Sequence, residues 1–176
     1  FVANSSWGYG GGVYASHDFG ETWILTTDKK KLPESWLESS SRFNTVAVAH
    51  SGDKSSIYAG SSRYLYRSDD GGASWNQLIS TKTGSGWRHT GINVFGQARQ
   101  LLVDLDDPAI MFIGTADHKL VKSVDAGVSW NLLAKDNPDA SNIWSMAMCP
   151  LPPRTLYAVS AKSTVNLCLM QSRDKG

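Results

Sequence analysis

The octapeptide Ser16-His17-Asp18-Phe19-Gly20-Glu21-Thr22-Trp23 recurs further along the chain. Its second copy is Ser68-Asp69-Asp70-Gly71-Gly72-Ala73-Ser74-Trp75, and its third is Ser123-Val124-Asp125-Ala126-Gly127-Val128-Ser129-Trp130. The chain ends on Ser172-Arg173-Asp174-Lys175-Gly176, which matches the first five positions of a fourth copy. The four copies start 52, 55 and 49 residues apart. A steady period of this length is typical of repeat architectures.

Short strand-like runs surround every copy of the octapeptide. They are rich in β-branched and aromatic residues and are bounded by Gly, Ser and Asp, as strands usually are. No segment shows a helical period. The predicted strands are 1–5, 12–15, 23–25, 43–49, 57–61, 64–67, 75–79, 98–104, 111–115, 119–122, 130–133, 143–149, 156–160 and 167–170.

Four strands in each unit of about 50 residues correspond to one blade of a β-propeller, which needs neighbouring blades to bury its two faces. The sequence therefore predicts an all-β fold, a partial propeller of four-stranded antiparallel blades with about three and a half blades present. It forms one domain without a second, and its blade pieces are roughly 1–26, 42–79, 98–134 and 142–176. The incomplete fourth copy predicts a fragment whose open ends associate with the remainder of its own propeller or with another protein chain.

The residue types of the octapeptide suit a tight turn between two strands. The Asp carboxylate accepts backbone N–H groups, the Gly adopts a positive φ without steric cost, and the Ser or Thr hydroxyls add further bonds. The Trp offers a large apolar surface between blades. We therefore assign these residues a structural and not a catalytic role. They are Ser16, Asp18, Gly20, Trp23, Ser68, Asp70, Gly72, Trp75, Ser123, Asp125, Gly127, Trp130, Ser172, Asp174 and Gly176.

Together these repeats resemble the Asp-box, or bacterial neuraminidase repeat, propellers over essentially the whole chain. That superfamily includes sialidases, xyloglucan-cleaving glycoside hydrolases, sorting receptors of the Vps10 type and photosystem II assembly factors. The stretch from Gln100 to the third copy looks most like xyloglucanase-type secreted propellers, although Leu105 stands where those have Pro. The Arg-Ile-Pro segment of sialidases is not found in the sequence. The resemblance implies a secreted or periplasmic protein.

Composition narrows the possible functions. The net charge is +1, and the 17 Lys and Arg are scattered, so nothing indicates nucleic-acid binding. No apolar run approaches the roughly 18 residues of a membrane span. No motif indicates a metal or a cofactor, and we expect neither.

Loops on one face of a propeller, opposite the octapeptide turns, are the expected ligand surface. Exposed aromatic rings there would bind an amphipathic partner such as a sugar, because they lose little side-chain entropy. The same rings could instead fill gaps between blades, and Trp144, on an inner strand, is expected in the core. The predicted ligand contacts are Trp7, Tyr9, Trp36, Trp87, Arg88, His89 and His118.

Glycoside hydrolysis would require two carboxyl groups about 5–5.5 or 6.5–9.5 Å apart. Asp117 and Glu38 are weak candidates, so the sequence leaves enzymatic activity open. The first hypothesis is an extracellular carbohydrate-active propeller that binds, and in one version hydrolyses, a polysaccharide or other glycan. The alternative is a non-catalytic scaffold for a protein partner, of the assembly-factor or sorting-receptor type.

The two cysteines, Cys149 and Cys168, are predicted on strands two apart in one sheet. Strands lie about 4.8 Å apart, so this separation exceeds the roughly 7 Å limit for a disulfide. We expect two free, buried thiols.

Overall fold

The structure is a computed structural model, and its described part consists entirely of strands, turns and irregular segments. The described residues are 1–4, 11–27, 43–61, 64–78, 81–83, 86–88, 98–116, 120–133, 137, 142–152, 154–163 and 166–173. Over these residues no helix has the length and apolar character needed to cross a bilayer.

Sixteen strands are present in the described residues, two more than predicted. They are β1 (Val2–Asn4), β2 (Gly12–Ala15), β3 (Ile24–Leu25), β4 (Phe43–Ser51), β5 (Lys54–Ser61), β6 (Leu65–Ser68), β7 (Asn76–Leu78), β8 (Thr81–Thr83), β9 (Gly86–Arg88), β10 (Ala98–Val103), β11 (Met111–Thr115), β12 (Leu120–Ser123), β13 (Asn131–Leu132), β14 (Ile143–Met148), β15 (Leu156–Ser163) and β16 (Asn166–Ser172). The additional pair, β8–β9, forms a hairpin between the predicted strands 75–79 and 98–104.

Four antiparallel sheets follow one another along the chain. Sheet 1 is β1-β2-β3, sheet 2 is β4-β5-β6-β7, sheet 3 is β10-β11-β12-β13 and sheet 4 is β14-β15-β16. Within each sheet, strands that are consecutive in sequence pair with one another, so each sheet is a simple meander. The octapeptides connect β2 to β3, β6 to β7 and β12 to β13; we call residues 16–23, 68–75 and 123–130 the first, second and third repeat turns.

Consecutive sheets pack face to face through apolar side chains. Between sheets 2 and 3, Tyr58 and Leu65 pack with Met111, Ile113 and Trp130. Val13 packs with the aromatic residues of sheet 2, and Phe112 packs with the apolar side chains of sheet 4. Sheets 2 and 3 each pack against a sheet on both faces. This explains why β11, in sheet 3, is buried along its whole length.

Gly114 shows how closely sheets 3 and 4 approach each other. A Cβ atom at this position would lie 2.6 Å from Cγ2 of Ile143, which is closer than packed atoms can come. The side chain of Ile143 occupies the space that any larger residue at 114 would need. The two sheets therefore meet without a gap at this point.

Both cysteines are free, as predicted. Cys149 directly follows β14, and Cys168 lies on β16, two strands away in sheet 4. The prediction that they are fully buried is wrong. Both are half-buried.

Candidate binding site at the inner strands

The three repeat turns share one hydrogen-bond network. In the third turn, the Ser123 hydroxyl donates to Asp125 at 2.8 Å and accepts from the backbone N–H of Gly127 at 2.9 Å. Asp125 also accepts from the backbone N–H of Ser129 at 2.8 Å and from its hydroxyl at 2.5 Å. Equivalent bonds join the Ser, Asp, Gly and hydroxyl residues of the first and second turns. Each carboxylate is thus occupied by its own turn.

These bonds keep the turn carboxylates ionised. The Ser74 hydroxyl, followed by the Ser74 backbone N–H and the Ser68 hydroxyl, lowers the pKa of Asp70 from 3.8 to about 2. Burial acts to raise the pKa of Asp125, but the bonds from Ser129 and Ser123 outweigh it and the net shift is downward. A carboxylate with a lowered pKa and filled acceptor positions is a poor proton donor. The geometry of the turns therefore fits a structural role and does not fit acid catalysis.

Most of the predicted ligand contacts fall outside the residues that the structure describes. These are Trp7, Tyr9, Trp36, His89 and His118, together with the two carboxyl candidates Glu38 and Asp117. Trp87 and Arg88 lie on β9, where their backbones pair with Lys82 and Thr81. The ligand role of all these residues stays a prediction.

A repeated irregularity marks the innermost strands of sheets 2, 3 and 4. In β4, β10 and β14 the pairing register shifts after the first residue, so that one residue is inserted as a bulge. The inserted residues are Asn44, Arg99 and Trp144. Bulges re-aim side chains and are frequent beside functional sites. Because each bulge stands at the second position of its strand, the three side chains lie at the same end of the sheets, away from the repeat turns.

Arg99 of sheet 3 contacts Trp144 of the neighbouring sheet 4. The guanidinium carbon of Arg99 lies 3.7 Å from the centroid of the Trp144 ring, a cation–π contact. Trp144 is 54% exposed, so the expectation that it belongs to the core is wrong. The bulge interrupts the regular alternation of buried and exposed side chains along β14. Trp144 is therefore exposed, although its neighbours Ile143 and Met146 are buried.

Two hydrogen-bond donors at these bulges lack a partner. Nδ2 of Asn44 and Nε of Arg99 are both buried and make no hydrogen bond with any residue that the structure describes. A buried donor without a partner costs about 1–3 kcal/mol. Such donors are expected where a ligand supplies the acceptor. We call Asn44, Arg99 and Trp144 the bulge site.

Side chains next to the bulges hold the inner strands in place. The backbone N–H of Leu101 donates to the Thr45 hydroxyl at 2.9 Å, which joins β10 to β4. The Gln100 side chain donates to the Met146 carbonyl at 2.8 Å and accepts from the Met146 N–H at 2.5 Å, which joins β10 to β14. These bonds fix the spacing of the bulge residues, and a rigid framework of this kind favours specific binding.

A cleft of about 830 Å³ lies at the opposite end, between sheets 2 and 3. Its polar centre is Ser56, Arg67 and Asp69: the Arg67 Nε donates to Asp69 at 2.8 Å, and the Ser56 hydroxyl donates to the same oxygen. Burial acts to raise the pKa of Asp69, but the bonds from Ser56 and Arg67 outweigh it and lower the pKa. The three groups satisfy one another, so this cluster fits a structural role better than a ligand site.

Metal binding has no support in the described part of the chain. No group of three or more His, Cys, Asp or Glu side chains there is arranged to hold a metal ion.

Known proteins resemble this chain in structure and not detectably in sequence. No protein-family model and no curated protein matches the sequence. A structure described as YCF48 bound to a D1 peptide matches with a TM-score of 0.52 and 19% identity, over 91% of this chain and 42% of that one. The fold is a partial β-propeller. This confirms the all-β fold class and the propeller architecture predicted from the repeats.

A second match is the GH74 xyloglucanase from Xanthomonas campestris, with a TM-score of 0.48 and 19% identity. It covers 68% of this chain and 19% of that protein. The chain therefore spans less than half the length of either propeller. Neither protein's activity is shown for this chain.

Sequence inspection missed Asn44 and Arg99. Aligning the repeats places Asn44, Arg99 and Trp144 at the second position of three successive predicted inner strands, but it does not distinguish that position from the others. Their residue types differ, so no residue pattern marks them; only the common bulge in the structure does.

Proposed function

We propose that this chain is part of a non-catalytic propeller that binds a polypeptide partner at the bulge site. The observation that carries the proposal is the pair of buried donors, Asn44 Nδ2 and Arg99 Nε, that have no partner among the described residues. Backbone carbonyls and acidic side chains of a polypeptide supply the acceptors that these donors need.

The chemistry of the bulge site supports a ligand with acceptors and an apolar part. Arg99 brings a positive charge, and the half-exposed ring of Trp144 brings a flat apolar surface. Arg and Trp are among the residues enriched at the energetically dominant positions of protein interfaces. The match to YCF48, described as bound to a peptide, agrees with a polypeptide ligand but does not carry the proposal.

Glycan binding is the second candidate, and the exposed ring of Trp144 favours it. A sugar ring stacks on an aromatic side chain through its apolar face, and the predicted loop aromatics Trp36 and Trp87 would extend such a surface. The turns resemble Asp-boxes, and this resemblance implies a secreted or periplasmic location. Both points agree with glycan binding. Hydrolysis would additionally require a pair of carboxyl groups, for which Asp117 and Glu38 are the candidates.

A parallel screen of a peptide array and a glycan array tests the two candidates. The chain is compared with Arg99→Gln, which removes the charge and the cation–π contact, and with Trp144→Ala. The control is Arg173→Gln, at an exposed arginine after β16. Loss of a charge-assisted hydrogen bond should weaken peptide binding about tenfold or more in Arg99→Gln and leave the control unchanged.

The outcomes separate the proposals. Binding to glycans alone, weakened by Trp144→Ala, would replace the polypeptide by a sugar ligand. Peptide binding that is equal in Arg99→Gln and in the control would remove the bulge site from consideration. Circular dichroism melts of each variant establish that a loss of binding does not come from unfolding.

A further inference from the structure

Asn142, directly before β14, has a backbone conformation that few residues other than glycine adopt. Its φ is 60°, in the left-handed region. Among the described residues, the other non-glycine residues with a positive φ are Phe19 and Ala126. Both occupy the fourth position of a repeat turn, where Gly71 has the same sign of φ in the second turn. The turns explain those two residues, whereas Asn142 belongs to no repeat turn.

The side chain of Asn142 does not account for this conformation within the described part of the chain. Asparagine is tolerated in the left-handed region because its short polar side chain can hydrogen-bond locally. The Oδ1 atom of Asn142 is buried and accepts no hydrogen bond from any described residue. Glycine would adopt the same φ without strain and would bury no unsatisfied acceptor. Asparagine is therefore unfavourable for folding here, and strained residues of this kind are concentrated at ligand-binding sites.

Asn142 adjoins the bulge site. Two residues of an extended chain span at most about 7 Å, so the Cα atom of Asn142 lies within that distance of the Cα atom of Trp144. Trp144 in turn contacts Arg99. The carbonyl of Asn142 accepts the backbone N–H of Ala161 at 3.2 Å, which ties Asn142 to β15. The residue is thus held in place at the end of sheet 4 that carries the bulge.

The bulge site and Asn142 together offer both kinds of hydrogen-bonding group. Nδ2 of Asn44 and Nε of Arg99 are donors, whereas Oδ1 of Asn142 is an acceptor. A ligand that satisfies all three atoms must carry acceptors and at least one donor. An inorganic anion such as sulfate carries acceptors only. Each residue of a polypeptide other than proline carries one main-chain carbonyl and one main-chain N–H, so a polypeptide meets the requirement.

We propose that Oδ1 of Asn142 accepts a main-chain N–H from the polypeptide bound at the bulge site. The inference rests on the polypeptide ligand proposed above and assigns one of its contacts. The left-handed backbone is already formed in the free chain, so the acceptor needs no rearrangement before binding. Because the contact is to the main chain, it does not depend on which side chain the partner carries at that position.

Methylation of single backbone nitrogens tests the contact, because the methyl group replaces the hydrogen that Oδ1 would accept. The probe is the tightest-binding peptide of the array, prepared as a series with one backbone nitrogen methylated at a time. Dissociation constants are measured for the chain, for Asn142→Gly and for Phe19→Gly. Phe19→Gly is the matched control, since it makes the same backbone change at a positive φ in an exposed turn.

Methylation at one position is expected to weaken binding to the chain and to the control roughly tenfold, and binding to Asn142→Gly less than about twofold. The difference is the coupling between that peptide N–H and Asn142. It is separated in this way from any effect of the methyl group on the conformation of the peptide. Equal effects in all three proteins at every position would overturn the contact.

Thermal melts test the Asn142 side chain without a ligand. If Oδ1 has no partner in the free chain, Asn142→Gly should melt no lower than Phe19→Gly, because both substitutions release the same kind of backbone strain. The loss of one interaction lowers the melting temperature of a chain of this size by about 2–4 °C. A decrease of that size relative to the control would show that the amide bonds within the fold, and would overturn the inference.

Failure of this inference and failure of the proposed function give different results. A peptide whose binding is weakened by Arg99→Gln but by no single methylation would remove the Asn142 contact and retain the bulge site. Absence of binding to every peptide, or binding to glycans alone, would remove the polypeptide ligand and this contact with it.

Discussion

The first and third repeat turns have the same hydrogen bonds and very different surroundings. In both, the Trp ring nitrogen donates to the Gly carbonyl, at 2.9 Å from Trp23 and at 3.2 Å from Trp130. Yet Trp130 is 7% exposed and Trp23 is 44% exposed. In the third turn, Gly127 lies against Tyr58 and Leu78 of sheet 2. The first turn belongs to sheet 1, and among the described residues no sheet packs on that side of it.

The comparison separates two levels of organisation. The shape of the turn follows from its own residues, since it is the same with and without a neighbouring sheet. Its burial follows from the neighbour: the Tyr58 hydroxyl of sheet 2 donates to the Ala126 carbonyl at 3.1 Å and helps to fix the third turn between sheets. Identical substitutions in the two turns should therefore have unequal effects.

The largest difference is expected for Trp to Ala. Trp130→Ala leaves a cavity in the junction of sheets 2 and 3 and should lower the free energy of unfolding by about 3–5 kcal/mol. Trp23→Ala removes a ring that is already partly in water and should cost about 1 kcal/mol. Urea denaturation of both variants at one protein concentration measures the two values. Equal losses would mean that the turn, and not the junction, determines the contribution of the Trp.

A smaller difference is expected for Ser to Ala. The Ser123 hydroxyl accepts the N–H of Gly127 in a buried setting, while the Ser16 hydroxyl accepts that of Gly20 in an exposed one. Ser123→Ala leaves a buried N–H without a partner and should cost about 1–3 kcal/mol. In Ser16→Ala water replaces the hydroxyl, so the loss should be about 0.5–1 kcal/mol. Similar losses in urea denaturation would contradict the role given to burial.

The architecture could be predicted because the same turn and its flanking strands recur several times along the chain. Three copies of one turn at a steady period, each between strand-like runs, leave few alternatives to successive four-stranded sheets. The β8–β9 hairpin was missed because it lies outside the period, in a segment rich in Thr, Gly and Ser that is typical of a loop. A local pairing of this kind has no counterpart in the other repeats to reveal it.

The bulge site could not be predicted in the same way. Trp144 alternates with apolar neighbours in the sequence, which favours burial, and only the register shift after Ile143 turns it outward. The residue types of Asn44 and Arg99 do not indicate that the two residues occupy equivalent positions. Their relation depends on strand pairing across sheets, a long-range property that local patterns do not contain.

In the smallest expected effect, the substitution in the first turn changes stability more than the one in the third turn. The Thr22 hydroxyl is the largest influence on Asp18 and lowers its pKa well below 3.8, while burial is the largest influence on Asp125 and opposes the lowering. A lowered folded-state pKa adds stability above the unfolded value, and this is lost as the pH falls through the folded pKa. Below about pH 4, Asp18→Asn should therefore flatten the pH dependence of the melting temperature more than Asp125→Asn does. Thermal melts over an acid series measure this, and parallel curves for the two variants would show that burial does not offset the bonds of the third turn.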